Sequence, residues 1–319
     1  MTLVTLDEIR AAAGRLTGVA LRTPVLPAAW APNDQALLLK AENLQPIGAF
    51  KIRGAYNKIA LLPADVRERG VVAYSSGNHA QAVAYAARAF GIPASIVIQH
   101  GVAEVKVAAT IALGAEVIRV PAAERASTAA ELAQRYGRVI VAPFEDRDVI
   151  AGQGTIGLEL AEDVEDIDRV LVPISGGGLI SGVAAAIKAL SPRSEVVGVE
   201  PALAADAAES FRRGQRVAWA SDAVGRTIAD GLRTPEVGEL PWAHIRELVD
   251  DVVTVEEDEI VDAIRVIALG SRLVAEPSGA VPVAAFRSGR LPPVRRTVAV
   301  VSGGNIDPAF LADVLSSAR

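Results

Sequence analysis

Gly70-Val71-Val72-Ala73-Tyr74-Ser75-Ser76-Gly77-Asn78-His79 decides the fold. Val71 to Tyr74 carry largely apolar side chains at successive positions, so 70–75 reads as a strand covered on both faces. Ser76, Gly77 and Asn78 supply a turn. The alanine-rich stretch that follows reads as a helix to Phe90, stopped by Gly91-Ile92-Pro93, and 94–98 reads as the next strand. This is a βαβ unit, which implies a parallel sheet with a helix packed across its face.

The same alternation extends in both directions. A helix is expected over 6–16, where Thr5 and Glu8 have the spacing of a capping box. A strand follows over 36–41, and then a helix from Ala49 to about Leu62, opened by Pro46 and Gly48. Beyond the central unit come helix 103–113, strand 116–120, helix 127–136 and strand 139–142. Ala151-Gly152-Gln153-Gly154-Thr155 reads as a break before a second series: helix 156–162, strand 170–174, helix 179–190, strand 195–199 and a last strand over 297–301. The breaks between the series fall near 66 and 146. Periodicity does not say whether the first segment joins the second series.

Composition narrows the function. The 319 residues suit two α/β domains. Half the residues are apolar but only 4% are aromatic, so Ala, Val, Ile and Leu must build the core. A net charge of −6 offers no basic face for nucleic acid. No apolar run reaches membrane-spanning length, and the first residues resemble no signal peptide. A soluble cytoplasmic protein is expected. There is no cysteine, and the three histidines make a histidine-rich zinc site improbable.

Five stretches carry chemistry. Lys51, one of five lysines, lies at the expected start of a helix beside Phe50 and Ile52. The helix dipole and loss of solvent both favour its neutral, nucleophilic amine. Ser175-Gly176-Gly177-Gly178-Leu179 stands between a buried strand and a helix, where unblocked backbone N–H groups can seat a phosphate. Ser75-Ser76-Gly77-Asn78-His79 is a similar turn. There Ser76 and Asn78 could cap the helix, or Asn78 could donate to a ligand oxygen while Ser76 shuttles a proton. Ser302 follows a third strand, at the end where ligands gather in open α/β sheets, and can bond a ring nitrogen. Glu200 and Asp206, with carbonyls between them, offer oxygen ligands to Mg²⁺ or Ca²⁺ in what reads as one short loop; a solvated acidic surface is the plainer alternative. An NAD-dependent oxidoreductase is a distant alternative. The strand–glycine–helix pattern and Glu200 suit it, but counting G-x-G-x-x-G from Gly176 puts Ser181 in the third glycine's place.

Several of these motifs, in order, resemble the fold-type II pyridoxal-phosphate enzymes of the serine/threonine dehydratase and serine racemase family. The likeness covers Lys40-Ala41-Glu42-Asn43-Leu44-Gln45-Pro46, Gly48-Ala49-Phe50-Lys51-Ile52-Arg53-Gly54-Ala55, Ser75-Ser76-Gly77-Asn78-His79-Ala80-Gln81 and Val149-Ile150-Ala151-Gly152-Gln153-Gly154-Thr155. It continues through the glycine run, Ile228-Ala229-Asp230-Gly231, Glu276-Pro277-Ser278 and Ser302-Gly303-Gly304-Asn305. The resemblance implies an α/β fold of two open twisted parallel-sheet domains with helices on both faces. Residues 1–65 with 147–319 would form a large cofactor-binding domain, and 66–146 a small mobile one.

It also implies roles. Lys51 would carry pyridoxal 5′-phosphate on its amine, with Phe50 beside the ring and Asn78 on the ring hydroxyl. Ser175, Gly176, Gly177, Gly178 and Leu179 would hold the phosphate and Ser302 the pyridine nitrogen. Gly231 and Glu276 would complete the cofactor site. Glu200, the Ala204 carbonyl and Asp206 match the places that hold a divalent cation in some members. The reaction implied is deamination of L-threonine or L-serine by loss of the β-hydroxyl, giving a 2-oxo acid and ammonia. Serine racemisation through Ser76, or dehydration of another β-hydroxy amino acid, is the alternative. A homodimer is expected because the family forms them. The specificity clues disagree: Phe144 is similar to the threonine dehydratases, whereas Ser76 is similar to the racemases.

Overall fold

The computed structural model describes residues 2–317. Ten strands lie among them: β1 (Val25–Pro27), β2 (Ala36–Lys40), β3 (Val71–Tyr74), β4 (Ala94–Gln99), β5 (Glu116–Val120), β6 (Val139–Ile140), β7 (Arg169–Pro173), β8 (Glu195–Pro201), β9 (Asp251–Val255) and β10 (Arg296–Val300). They form two sheets. One runs β5-β4-β3-β6 and is parallel throughout. The other runs β1-β2-β10-β7-β8-β9 and is parallel except for the antiparallel β1–β2 pair. β2 lies beside β10, so the first segment shares a sheet with the second series.

The quoted stretch folds as its apolar run requires. Val71, Val72 and Ala73 are buried; the helix Asn78–Phe90 covers Val71 and Ala73 with Ala80, Ala84 and Ala87, while Val72 packs on the other face with Val97 and Ala129. Small side chains let this helix sit close to the strands. The Thr5–Glu8 capping box forms at the helix Leu6–Leu16. Among the described residues no helix is long and apolar enough to cross a membrane.

Both sheets reverse strand order at one point: between β3 and β6 in the smaller sheet, and between β7 and β10 in the larger. Loops leaving the carboxyl ends on either side of such a point diverge and open a crevice. The turn 75–78 and the segment 141–145 leave the first point. The glycine run and Ser302 leave the second.

The expected break at Gly152 and Gly154 is not one. The helix Arg147–Asp163 runs through both, capped by Asp146, which accepts from the N–H groups of Asp148 and Val149. The glycines serve close packing. A Cβ on Gly152 would lie 2.6 Å from the Arg53 carbonyl, and one on Gly182 would lie 2.4 Å from the Ile150 carbonyl. The Lys51 helix (Lys51–Ala60) and the helix after the glycine run (Gly178–Leu190) therefore both press their backbones onto this one helix. That contact fixes Lys51 relative to the glycine run. Two further boundaries shift. Ala49 belongs to a bridge with Gly303 and not to the helix, which begins at Lys51. Glu200 lies within β8 and Asp206 opens the helix Asp206–Arg213, so they do not share a loop.

Candidate active site

Lys51 is the first residue of its helix, where unpaired N–H groups disfavour a cation. Its Nζ donates to the Pro143 carbonyl at 2.7 Å and lies 5.2 Å from the centre of the Phe50 ring. No carboxylate pairs with it among the described residues. Burial lowers its ammonium to about 8. The amine is therefore partly neutral near physiological pH, the condition for attack on an aldehyde.

A buried ionic lattice holds the helix from below. Arg53, two residues beyond Lys51, donates to both oxygens of Glu42 at 2.7 and 2.8 Å and to both of Glu159 at 2.6 and 2.9 Å. Lys40 reaches Glu159 at 2.5 Å and the Thr23 carbonyl at 2.8 Å. Burial would raise Glu42, but the charge and hydrogen bonds of Arg53 hold it below its ordinary range.

The glycine run has the expected geometry. Gly177 takes a φ of +90°, open to glycine at little cost, and the helix starts at Gly178. The backbone N–H groups of residues 175–180 donate to no protein acceptor among the described residues. The Gly176 carbonyl accepts from Gly238, and Ser175 donates its hydroxyl to Thr234 at 2.7 Å. The Phe144 ring lies against the run, where a Cβ on Gly176 would stand 2.2 Å from it. The segment carrying Pro143 and Phe144 thus touches both Lys51 and the glycine run.

A second cluster adjoins the first. Asn78 donates to Glu276 at 2.6 Å, and a Cβ on Gly303 would lie 2.2 Å from that carboxylate and 3.1 Å from the Asn78 nitrogen. Burial, with the nearby Asp230 charge, pushes Glu276 up to about 7. The Ser302 carbonyl accepts from Phe50 at 3.0 Å; the residue is buried, and its hydroxyl has no protein partner among the described residues. Neither Ser76 nor Asn78 caps its helix, so the capping reading of that turn does not hold. The Ser76 hydroxyl is also without a partner among the described residues. Gly231 stands beside this cluster and donates to the Ser278 hydroxyl at 2.9 Å. Lys106, from the smaller sheet's helix Glu104–Ala112, pairs with Asp230 next to it.

Glu200 and Asp206 lie apart, with Ala204 buried between them. Glu200 accepts from the N–H groups of Ala207 and Ala208, at 3.4 and 2.8 Å. Both oxygens of Asp206 are buried without a hydrogen-bond partner. Burial raises both carboxyls, Glu200 well above its usual range and Asp206 to about 7.

Three contributors escaped sequence reading. The Pro143 carbonyl has no side-chain signal. Asn305 stood inside a quoted motif without a role. His79 donates from Nε2 to the Val141 carbonyl at 2.8 Å, steadying the segment that carries Pro143, and its Nδ1 is buried without a partner. Burial and the Lys51 charge push this imidazole down to about 3.

Comparison with known proteins agrees with this geometry. The family described as "Pyridoxal-phosphate dependent enzyme" matches residues 16–303. The chain is 44% identical to the L-threonine ammonia-lyase of Thermotoga maritima over 98% of its own length and 79% of that protein's. It is 42% identical to the serine racemase of Arabidopsis thaliana, covering 98% and 96%. The solved structure of maize serine racemase superposes with a TM-score of 0.92 at 39% identity, covering 98% of this chain and 97% of that one. A buried amine without a carboxylate partner, a turn of unpaired N–H groups and these end-to-end likenesses converge: the chain is a pyridoxal-phosphate dependent, fold-type II enzyme of the threonine dehydratase/serine racemase family.

Proposed function

We propose that this enzyme deaminates L-threonine and L-serine, removing the β-hydroxyl to give a 2-oxo acid and ammonia. The observation that carries the proposal is the Lys51 amine, held by a neutral carbonyl and lowered to about 8, beside the free N–H groups of residues 175–180. Bound pyridoxal phosphate supplies an aldehyde for the substrate amine and an electron sink for the α-carbon. Lys51 would hold the cofactor at rest and, once freed, take the α-proton. The glycine run would hold the phosphate by its N–H groups, Asn78 would donate to the ring hydroxyl, and Phe50 would lie beside the ring. Ser302 would meet the ring nitrogen with a neutral hydroxyl. A neutral partner there would leave the ring a weaker electron sink than a carboxylate partner would, which would favour prompt loss of the β-hydroxyl over transamination. The protein should turn over L-threonine and L-serine in an ammonia assay; a loaded enzyme that releases ammonia from neither would sink the proposal.

Serine racemisation is the second reading, favoured by the unpartnered Ser76 hydroxyl at the turn before the Asn78 helix. Ser76 would return a proton to the α-carbon from the side away from Lys51. Ser76→Ala is then expected to abolish inversion, followed by chiral chromatography, while ammonia release from the L-substrate stays within about threefold of wild type. An equal fall in both would show that the two faces are not divided this way.

Glu200, the Ala204 carbonyl and Asp206 are proposed to hold Mg²⁺ or Ca²⁺. Support comes from the two buried, unpartnered oxygens of Asp206, which suit a hard cation. A cation at about a hundred times its dissociation constant should add roughly 2.7 kcal/mol of stability. Melting curves of chelator-treated protein with and without each cation measure this, and Asp206→Ala should erase the response. Residues 1–65 with 147–319, and 66–146, are proposed as the two domains, in keeping with the strands each sheet contains.

A further inference from the structure

We infer that Asn305 is a positioning residue, setting which end of the Asn78 amide faces the cofactor. The inference rests on the proposed role of Asn78 as donor to the ring hydroxyl oxygen.

A side-chain amide presents a donor at one end and an acceptor at the other, and the two ends have almost the same shape. Something must choose between them. The chain of hydrogen bonds around Asn78 does so from one end. The Ile47 carbonyl can only accept, and Asn305 Nδ2 lies 2.9 Å from it. The NH₂ group of Asn305 must therefore occupy that side. The same nitrogen lies 2.8 Å from Asn78 Oδ1 and donates its second hydrogen there. Asn78 Oδ1 is thus committed as an acceptor, and its NH₂ group points the other way. One of those hydrogens goes to Glu276 Oε1 at 2.6 Å. The other is the only remaining polar hydrogen on this side chain, so Asn78 can offer a ligand a donor and not an acceptor. A reversed Asn78 would set its oxygen against the Glu276 carboxylate.

Asn305 is well anchored for this task. Its side chain is packed against Gly48, where a Cβ would stand 2.6 Å from its oxygen, and the neighbouring Gly304 N–H donates to the Gly48 carbonyl at 2.9 Å. The residue joins the loop that leads to Lys51, the turn that carries Asn78, and the strand end that carries Ser302.

Asn305→Asp keeps the size but sets an oxygen against Ile47 O and Asn78 Oδ1. Asn305→Ala removes both donors without adding charge, and serves should the aspartate variant fail to fold. Apoproteins of wild type and both variants are titrated with pyridoxal phosphate and the absorption spectrum is recorded. At least one folded variant should bind the cofactor tenfold or more weakly. Its bound spectrum should shift from the visible band toward the near ultraviolet, because the ring oxygen loses a donor that stabilises its anion. The same change in an Asn78→Ala background should move the band no further, since the effect passes through Asn78. A purely structural role would weaken binding and leave the band in place. The inference is overturned if the folded variants keep the wild-type affinity and band, or if the shift persists undiminished without the Asn78 amide. A wild type that stays colourless with pyridoxal phosphate sinks the cofactor assignments and this inference together; a yellow wild type with indifferent Asn305 variants sinks this one alone.

Discussion

Lys51→Ala is expected to lower ammonia release by about four orders of magnitude, the upper range for removing a positioned proton-transfer group. The variant should still bind pyridoxal phosphate through the glycine run, but borohydride should fix none of it to the peptide that carried the lysine. Wild-type protein should yield that labelled peptide. The lowered amine gives a second measurement with a definite sign. Below a pKa of about 8 most Lys51 is protonated, so the rate at which apoprotein takes up the cofactor should rise by about tenfold per pH unit. Above about 8 it should level off. An ordinary lysine would keep gaining until roughly 10.4. Stopped-flow absorbance across this range separates the two, and a rate still climbing steeply past pH ~9 would contradict the desolvated setting.

Arg53→Met should cost roughly 3–5 kcal/mol, because it leaves the buried Glu42 carboxylate without its paired cation and Glu159 with Lys40 alone. Arg53→Lys should recover little of this, since one ammonium cannot reproduce four directed hydrogen bonds shared between two carboxylates. The loss should depend on pH. In wild type Glu42 is held below its ordinary range, so its contribution is present above the unfolded pKa and fades as the pH falls. In the variant burial is opposed by the Lys40 charge and the Thr23 hydroxyl without Arg53, so Glu42 moves up from its wild-type position and the folded state loses stability as the pH rises. The gap between the two proteins should therefore widen from pH ~5 to ~8 in urea denaturation. Adding Glu42→Leu to the Arg53→Met variant should recover part of it, because one stranded charge is gone. A cofactor uptake rate unchanged in folded Arg53→Met would show that the lattice supports the fold without placing Lys51.

Much of the site was legible because its parts are short and local. An apolar strand run, a glycine turn and a helix start each leave a mark within a few residues, and the Ser75–His79, 175–179 and Lys51 stretches all carry one. The misreading at Gly152 and Gly154 has a physical cause. Glycine marks both turns and close helix contacts, and only the helix on the other side tells them apart. Gly152 meets the Lys51 helix and Gly154 meets the Gly178–Leu190 helix, with Ile9 between. The carboxylates at 200 and 206 looked like possible surface acids, and burial with no partner for Asp206 is a property of their surroundings.

The amino-acid order alone determined the parallel α/β class and marked Lys51 at a helix start and the glycine turn between a strand and a helix, since each depends on contacts within one element or its adjoining turn. Tertiary structure decided which strand ends meet, that a carbonyl at Pro143 caps the Lys51 amine, and that Asn305 orients Asn78 from 227 residues away. Those outcomes depend on sheet order and helix packing, in which residues far apart in the chain share one hydrogen bond, and such distances leave no periodic trace along the sequence.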